Sequence, residues 1–236
     1  MAVRSRNTLT GALLLLAWLT ACSRPLNPTN SSEPSTPKDT SSSTSSSGAS
    51  SGSGYYLLAL SWAPQFCANH ASNASSSECD PDRHFGFVVH GLWPQNDDGS
   101  YPQNCAPARP VAEQTVRHML AIMPARGLIQ HEWAEHGTCS GLSPQEYFAD
   151  IEKAFATVQV PSEYRAPAQT ISASPSEIEQ KFAAANQAPI GAFRVSCSHA
   201  ELVELSVCLT KDLRYRECGS NVRECRARQV TVRPVP

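Results

Sequence analysis

Short apolar runs on either side of a helical middle predict the β-strands of this chain. Residues 55–62 form a nearly continuous apolar run that suits a buried strand, and residues 85–90 predict a second one. Residues 193–197 and 202–208 are typical of an antiparallel pair, because apolar and polar positions alternate along the second of these runs. The four segments together predict a β-sheet.

Three segments between these strands are predicted to be helical. Residues 111–123 are compatible with a helix that Pro124 helps to end. Ser143 begins a capping box with Pro144 at the first helical position, and the same arrangement recurs from Ser174. Because strands flank a helical middle, the sequence predicts the α+β class.

The first 22 residues have the pattern of an export signal. Two arginines precede an apolar run at residues 12–19 that is too short to span a bilayer. The ending L-T-A-C at residues 19–22 resembles the lipobox of bacterial lipoproteins. We therefore expect a signal peptide at residues 1–21 and a lipid on Cys22, and the Ser that follows resembles outer-membrane sorting in Gram-negative bacteria. An ordinary cleaved signal with a chance cysteine is the alternative.

The segment after the signal has the composition of a flexible tether. Up to residue 54 it is nearly all Ser, Thr, Pro, Gly and Asn, with too few apolar side chains to offset the entropy of ordering. The sequence thus predicts a lipidated tether at residues 22–54 and one folded domain at residues 55–236. We expect a monomer anchored to the outer membrane through its lipid, in the periplasm or at the cell surface.

The cysteine count indicates an oxidising compartment. The chain has nine cysteines, and setting Cys22 aside for the lipid leaves eight, an even number that predicts four disulfides. Reduced cysteines that bind metal are the alternative, but they would be expected in close C-x-x-C pairs, which the sequence lacks.

The charge balance limits how the chain can bind nucleic acid. A formal net charge of -2 gives no basis for long-range attraction to a polyanion, so we expect any such contact to be short and local. Residues 211–236 lean basic, with seven Lys or Arg against three Asp or Glu. A solvated surface explains that excess equally well.

Two compact segments hold three of the seven histidines: F-V-V-H-G-L-W-P at residues 87–94 and H-E-W-A-E-H-G-T-C at residues 131–139. RNA carries its own nucleophile, the ribose 2'-OH. Its cleavage therefore needs a base for that hydroxyl, an acid for the leaving 5'-oxygen and donors for the phosphorane charge. Two imidazoles with an ordinary pKa near 6.5 can divide the first two tasks. If the second segment is helical, His131, Glu132 and His136 can point at one phosphate.

Two other interpretations of these histidines fit the sequence less well. Zinc proteases carry H-E-x-x-H, with the two histidines four residues apart on one helical face. Here His131 and His136 are five apart, about 140° around a helix, so they diverge where zinc needs them to converge. A single histidine would best be explained as a core or surface residue, but three in two motifs with tryptophans and glycines favour a site.

The two motifs together resemble the active-site segments of the ribonuclease T2 family, the acid endoribonucleases of fungi, plants and bacteria. The likeness extends to L-A-L-S-W-x-P-x-x-C at residues 58–67 and covers most of residues 55–225. It implies an antiparallel sheet core flanked by helices and stapled by disulfides. It also implies that residues 55–236 cleave single-stranded RNA to 2',3'-cyclic phosphate and then 3'-phosphate ends, with no metal or other cofactor.

Carried over by position, the resemblance makes His90 and His136 the acid and base pair, and leaves open which of them is the base. It makes Glu132 a stabiliser of the transition state, His131 a phosphate binder and Trp93 a residue that stacks the base on the 5' side of the cut. The resemblance pairs Cys105 with Cys139. We expect the other six cysteines to pair as Cys67–Cys79, Cys197–Cys225 and Cys208–Cys218, a connectivity that sequence alone does not fix.

Two positions depart from the family's usual pattern. A lysine commonly precedes the last histidine of the second motif, where this chain has Glu135. We expect this carboxylate to lower the rate and raise the pKa of His136, unless it faces solvent and a basic residue elsewhere compensates. Gln95 replaces the acidic residue often found after Trp-Pro, which predicts a relaxed or altered base preference. Glu135 also suggests a second hypothesis, a non-catalytic protein that keeps the fold for RNA binding or interaction.

Overall fold

A computed structural model of the chain describes residues 54–70 and 77–236, which fold around a six-stranded sheet. The predicted signal peptide, the Cys22 lipidation site and nearly all of the tether lie outside the described residues. The strands are β1 (Tyr55–Trp62), β2 (Phe87–Gln95), β3 (Ile171–Ala173), β4 (Phe193–Ser198), β5 (Glu201–Leu209) and β6 (Val230–Val232).

The sheet is mainly antiparallel. Its strand order is β2-β1-β5-β6-β3, with β4 also paired to β5, and β5 and β6 run parallel where they pair. This confirms the predicted α+β fold. The helices are α1 (Ala63–Asn69), α2 (Glu113–Met119), α3 (Arg126–Glu135), α4 (Pro144–Thr157), α5 (Ser162–Arg165) and α6 (Pro175–Asn186), with 3-10 turns at Pro81–Arg83, Gly137–Cys139 and Ile190–Ala192.

Two predicted elements have different bounds in the structure. The strand expected at residues 85–90 begins at Phe87 and continues to Gln95, because β1 pairs with it along its whole length. The helix expected at residues 111–123 covers only α2. Its chain turns after Met119 so that the carbonyl of Ile122 accepts a hydrogen bond from the Val89 amide of β2.

Local signals fixed the starts of α4 and α6. Ser143 Oγ accepts from the Glu146 amide, and the Glu146 carboxylate accepts from the Ser143 amide at 2.9 Å. The same reciprocal pair begins α6, where the Ser174 amide donates to Glu177 at 2.7 Å. Both predicted capping boxes are therefore confirmed. They stabilise the helices because they satisfy amides that a helix start leaves without partners.

Strand β1 is buried on both faces, which explains its continuous apolar run. Leu58, Leu60 and Trp62 pack into the main core between the sheet and the helices, while Tyr55 and Leu57 belong to a smaller cluster on the other face. Trp93 packs against this smaller cluster. The second face of the sheet therefore lies close to the histidine motifs.

Four disulfides staple the described residues, and they include the Cys105–Cys139 pair that the family resemblance implied. The disulfides are Cys67–Cys79, Cys105–Cys139, Cys197–Cys225 and Cys208–Cys218.

None of the helices among the described residues is both long and apolar enough to cross a membrane.

Candidate active site

His90 is the extra residue of a β-bulge in strand β2. Opposite it, Ala59 of β1 pairs with Gly91 and Leu60 pairs with Val89, so His90 has no partner position in β1. A bulge of this kind bends its strand and re-aims the side chain that it carries. The imidazole of His90 is thereby directed toward carboxylates on two other elements.

These carboxylates are Glu204 of β5 and Glu132 of α3. Nδ1 of His90 lies 3.0 Å from Oε2 of Glu204, and its Nε2 lies 3.8 Å from Oε1 of Glu132. Glu204 was not predicted as a site residue. The only signal for it was an acidic residue among the polar positions of an alternating strand.

Glu132 is almost completely buried and links the two sequence motifs. Its Oε2 accepts a hydrogen bond from Nε1 of Trp93 at 2.7 Å. A Cβ atom at Gly91 would lie 2.0 Å from the same oxygen and 2.4 Å from Nε1 of Trp93. The glycine of H-G-L-W-P is therefore required for the close approach of β2 to α3.

His136 caps the C-terminus of α3, where its amide donates to the Glu132 carbonyl at 3.0 Å. The side chain is only 8% exposed, and its Nδ1 has no hydrogen-bond partner among the described residues. The ring centroid of Trp93 lies 5.2 Å from that of His136 and 5.2 Å from that of His90. The two imidazole centroids are thus separated by no more than twice that distance, with the indole ring in contact with both.

The environments of the two histidines shift their pKa values in opposite directions. Burial lowers the pKa of His90, but the hydrogen bond to Glu204 and the negative charge of three nearby carboxylates outweigh burial and raise it above 6.5. Burial lowers the pKa of His136 from 6.5 to about 4. In mildly acidic solution His90 therefore carries a proton while His136 does not.

The expectation that Glu135 would raise the pKa of His136 is wrong in its net result. Glu135 does act in the raising direction, but the desolvation of the His136 ring outweighs it. Burial also raises the pKa of Glu132 above its ordinary value of 4.5, although the charge of His90 opposes this.

His131 lies at the rim of the site rather than in the cluster around Trp93. Its imidazole is largely exposed, and Nε2 lies 2.9 Å from Oε2 of Glu135, one helical turn later. The other Glu135 oxygen accepts from Nε2 of Gln103 at 2.6 Å. Glu135 thus does not simply face solvent, because it connects α3 to the loop that carries Gln103.

A cleft of about 500 Å³ opens beside Trp93 and His136. Gln95 lies in its wall, 5% exposed, and its Oε1 accepts from Nδ2 of Asn221 at 3.1 Å. Sequence reasoning did not connect the C-terminal segment around Asn221 with the site. The cleft is also lined by Leu57, Tyr101, Gln103, Ser196, Val203, Glu204, Ser206, Val222 and Arg223.

The described residues contain no set of ligands of the kind that a zinc protease needs. Among residues 54–70 and 77–236, no three His, Cys, Asp or Glu side chains are grouped so that they could hold a metal ion.

Cys105 and Cys139 form a disulfide that fastens the turn after His136 to the loop with Gln103.

The sequence of this chain is similar to those of known proteins. The model of the Ribonuclease T2 family matches residues 53–218. A probable ribonuclease of Haemophilus influenzae is 37% identical over 121 residues, which make up 46% of this chain and 44% of that protein. A ribonuclease of Aeromonas hydrophila is 45% identical over 95 residues, or 39% of this chain and 40% of that protein.

The fold also matches a solved structure. An RNase-related protein from Calystegia sepium superimposes with a TM-score of 0.62 at 23% identity, covering 78% of this chain and 98% of that one. The matches to the two bacterial relatives span less than half of the length of each of them.

Proposed function

Because this chain belongs to the ribonuclease T2 family, we propose that it is a metal-independent endoribonuclease that cleaves single-stranded RNA. The observation that carries this proposal is the pair of imidazoles, His90 and His136, that contact one tryptophan and have oppositely shifted pKa values. A reaction that needs one base and one acid at the same pH is served by such a pair.

The opposite directions of the two pKa shifts support one division of the roles in the first step. His136 is unprotonated above about pH 4 and takes the proton of the ribose 2'-OH. His90 is protonated and gives its proton to the leaving 5'-oxygen. The 2'-oxygen bonds to phosphorus as the bond to the 5'-oxygen breaks, which leaves a 2',3'-cyclic phosphate. In the second step water attacks the cyclic phosphate with the roles reversed, and a 3'-phosphate results.

Glu132 and Glu204 stabilise the protonated form of His90, the proposed acid. Both carboxylates lie within 4 Å of the His90 ring and raise its pKa, so the proton is retained until the leaving oxygen accepts it. Glu132 also orients Trp93 through its hydrogen bond to the indole. We propose that Glu132 stabilises the transition state through these two contacts rather than by touching the phosphate.

Trp93 and His131 contact the substrate in this proposal. Trp93 lines the cleft, where its indole can stack on the base on the 5' side of the cut. His131 binds the phosphate from the rim, and it must exchange its contact with Glu135 for the phosphate to do so. Gln95 presents an amide to the same cleft, which fits a base preference that differs from that of members with an acidic residue there.

The proposal is tested with purified protein in excess EDTA. We expect it to cleave a single-stranded RNA and leave DNA of the same sequence intact, since DNA lacks the 2'-OH. The first products should carry 2',3'-cyclic phosphate ends that later become 3'-phosphates. Loss of cleavage on chelation, or products with 5'-phosphates, would contradict it.

The non-catalytic alternative has little support in the site. A protein that kept the fold only for binding would not need His90 and His136 in their divergent environments. Glu135, the feature that suggested this alternative, has contacts of its own to His131 and Gln103 and does not displace either imidazole.

We further propose that the protein is a monomeric lipoprotein of the outer membrane, with Cys22 acylated. The four disulfides fit an exported protein, because an oxidising compartment is where such bonds persist. Intact-mass measurement of the mature protein tests the lipid. A mass without acyl chains, or a mature chain that does not begin at Cys22, would contradict this part of the proposal.

A further inference from the structure

Arg223 is the only permanently charged cation among the described residues that line the cleft. The carboxylates around the site are more numerous: Glu204 lines the same cleft, and Glu132 and Glu135 lie on α3. A polyanion that enters such a site meets unfavourable charge unless a cation faces it. The position of Arg223 therefore matters to any RNA bound there.

The backbone of Arg223 is fixed against the sheet. It lies between Cys218 and Cys225, whose disulfides attach this segment to β5 and β4. Val222, the preceding residue, is 8% exposed and packs into the smaller core cluster. Two residues after Arg223, the Cys225 amide donates to the Val195 carbonyl at 2.8 Å. These anchors hold the Cα atom of Arg223 at the cleft wall at little entropic cost on binding.

Among the described residues, the guanidinium group of Arg223 forms no ion pair. Two neighbouring arginines are neutralised, Arg216 by Asp97 at 2.9 Å and Arg194 by Glu224 at 2.9 Å. Arg223 is exposed, and no carboxylate of the described residues lies within 4 Å of it. It can therefore bind an anion without first breaking an ion pair in this part of the chain.

We propose that Arg223 binds a backbone phosphate of the RNA strand in the cleft, an inference that rests on the proposed ribonuclease function. From the C-terminal segment it supplies a positive charge like the one that α3 lacks because Glu135 stands where the family commonly has a lysine. A phosphate is favoured over a base as its target. Among the described residues no side chain holds the guanidinium in one plane, as recognition of a base edge would require.

Binding of an uncleavable RNA tests this contact separately from catalysis. The probes are four fluorescent homopolymeric octanucleotides with 2'-fluoro sugars, which lack the nucleophile. Their Kd is measured against salt for wild type, Arg223→Gln and Arg223→Lys. Arg228→Gln is the matched control, because Arg228 is an exposed arginine ten residues from Cys218 that does not line the cleft.

We expect Arg223→Gln to raise Kd roughly fivefold to tenfold for all four probes and to reduce the slope of log Kd against log salt by about 0.7. Arg223→Lys should restore most of the affinity, since a phosphate accepts either cation. The control should bind like wild type. An unchanged Kd and slope for Arg223→Gln, or a loss confined to one base, would overturn the proposal.

A parallel assay of RNA cleavage separates the two proposals. If wild type cleaves RNA while Arg223→Gln binds the probes normally, the contact is refuted and the ribonuclease function stands. If wild type cleaves no RNA, the proposed function fails, and the salt dependence of probe binding still decides whether Arg223 contacts a phosphate.

Discussion

Nδ1 of His90 and Oε2 of Glu204 lie 3.0 Å apart, joining a bulge in β2 to a residue 114 positions later in β5. Glu204 raises the pKa of His90 through both this hydrogen bond and its charge. A histidine that is to act as an acid near neutral pH needs such a partner, because burial alone would remove its proton. The raised pKa of the proposed acid therefore depends on a contact between distant parts of the chain.

We predict that Glu204→Gln lowers the pKa of His90 and moves the alkaline limit of activity to lower pH. The amide keeps the shape of the side chain but loses the charge that raises the pKa. The rate of dinucleotide cleavage should fall several-fold at pH 7 and change little at pH 5. The pH profile of kcat for both proteins is the measurement. A uniform loss at every pH would instead indicate that Glu204 has only a structural role.

Gly91→Ala is predicted to damage both stability and activity. The added methyl group would lie 2.0 Å from Oε2 of Glu132, and a contact that short forces α3 and β2 apart. We expect a destabilisation of about 1 to 3 kcal/mol, as for other overpacked sites. Urea unfolding and dinucleotide cleavage measure the two effects.

Gly127→Ala is the matched control for that substitution. Gly127 lies in the first turn of α3, and a Cβ atom there would have nothing within 4 Å. Because alanine favours a helix more than glycine does, this variant should be as stable as wild type or up to about 1 kcal/mol more stable. Equal damage from the two substitutions would refute the close approach at Gly91.

The buried His136 is predicted to make the protein less stable in acid. Its pKa is about 4 in the folded state and near 6.5 when unfolded, so the unfolded chain binds more protons between these values. Its contribution to stability is therefore complete above pH 6.5 and is lost as pH falls toward 4, by at most about 3 kcal/mol.

Comparison with His136→Asn isolates this effect from the other titrating groups. The free energy of unfolding, from urea titrations at pH 7 and pH 4.5, should fall more for wild type than for the variant. If the two proteins lose the same stability over this range, the pKa of His136 is not depressed and its assignment as the base loses its support.

The sequence predicted those features that depend on neighbouring residues. The capping boxes at Ser143 and Ser174 involve contacts across three positions, and both helices begin where expected. The histidine motifs are local patterns too, and the structure places His90, Glu132 and His136 around Trp93.

Two contributions from distant parts of the chain, those of Glu204 and Arg223, were missed. Glu204 and Arg223 reach the site only because β5 and the C-terminal disulfides bring them there. The pKa of His136 was expected to rise because only its sequence neighbour Glu135 was considered. Burial by tertiary packing has the larger effect, and no sequence pattern reports it.

The assignment of His136 as base and His90 as acid is tested most directly by changing the leaving group. Uridine 3'-(p-nitrophenyl phosphate) releases a stable anion and needs no acid, whereas a dinucleotide such as UpA does. We predict that His90→Ala loses about 100-fold to 10,000-fold on UpA but regains most of the wild-type rate on the nitrophenyl ester. His136→Ala should stay impaired on both substrates. Rescue of His136→Ala instead, or equal losses for both variants on both substrates, would contradict the account.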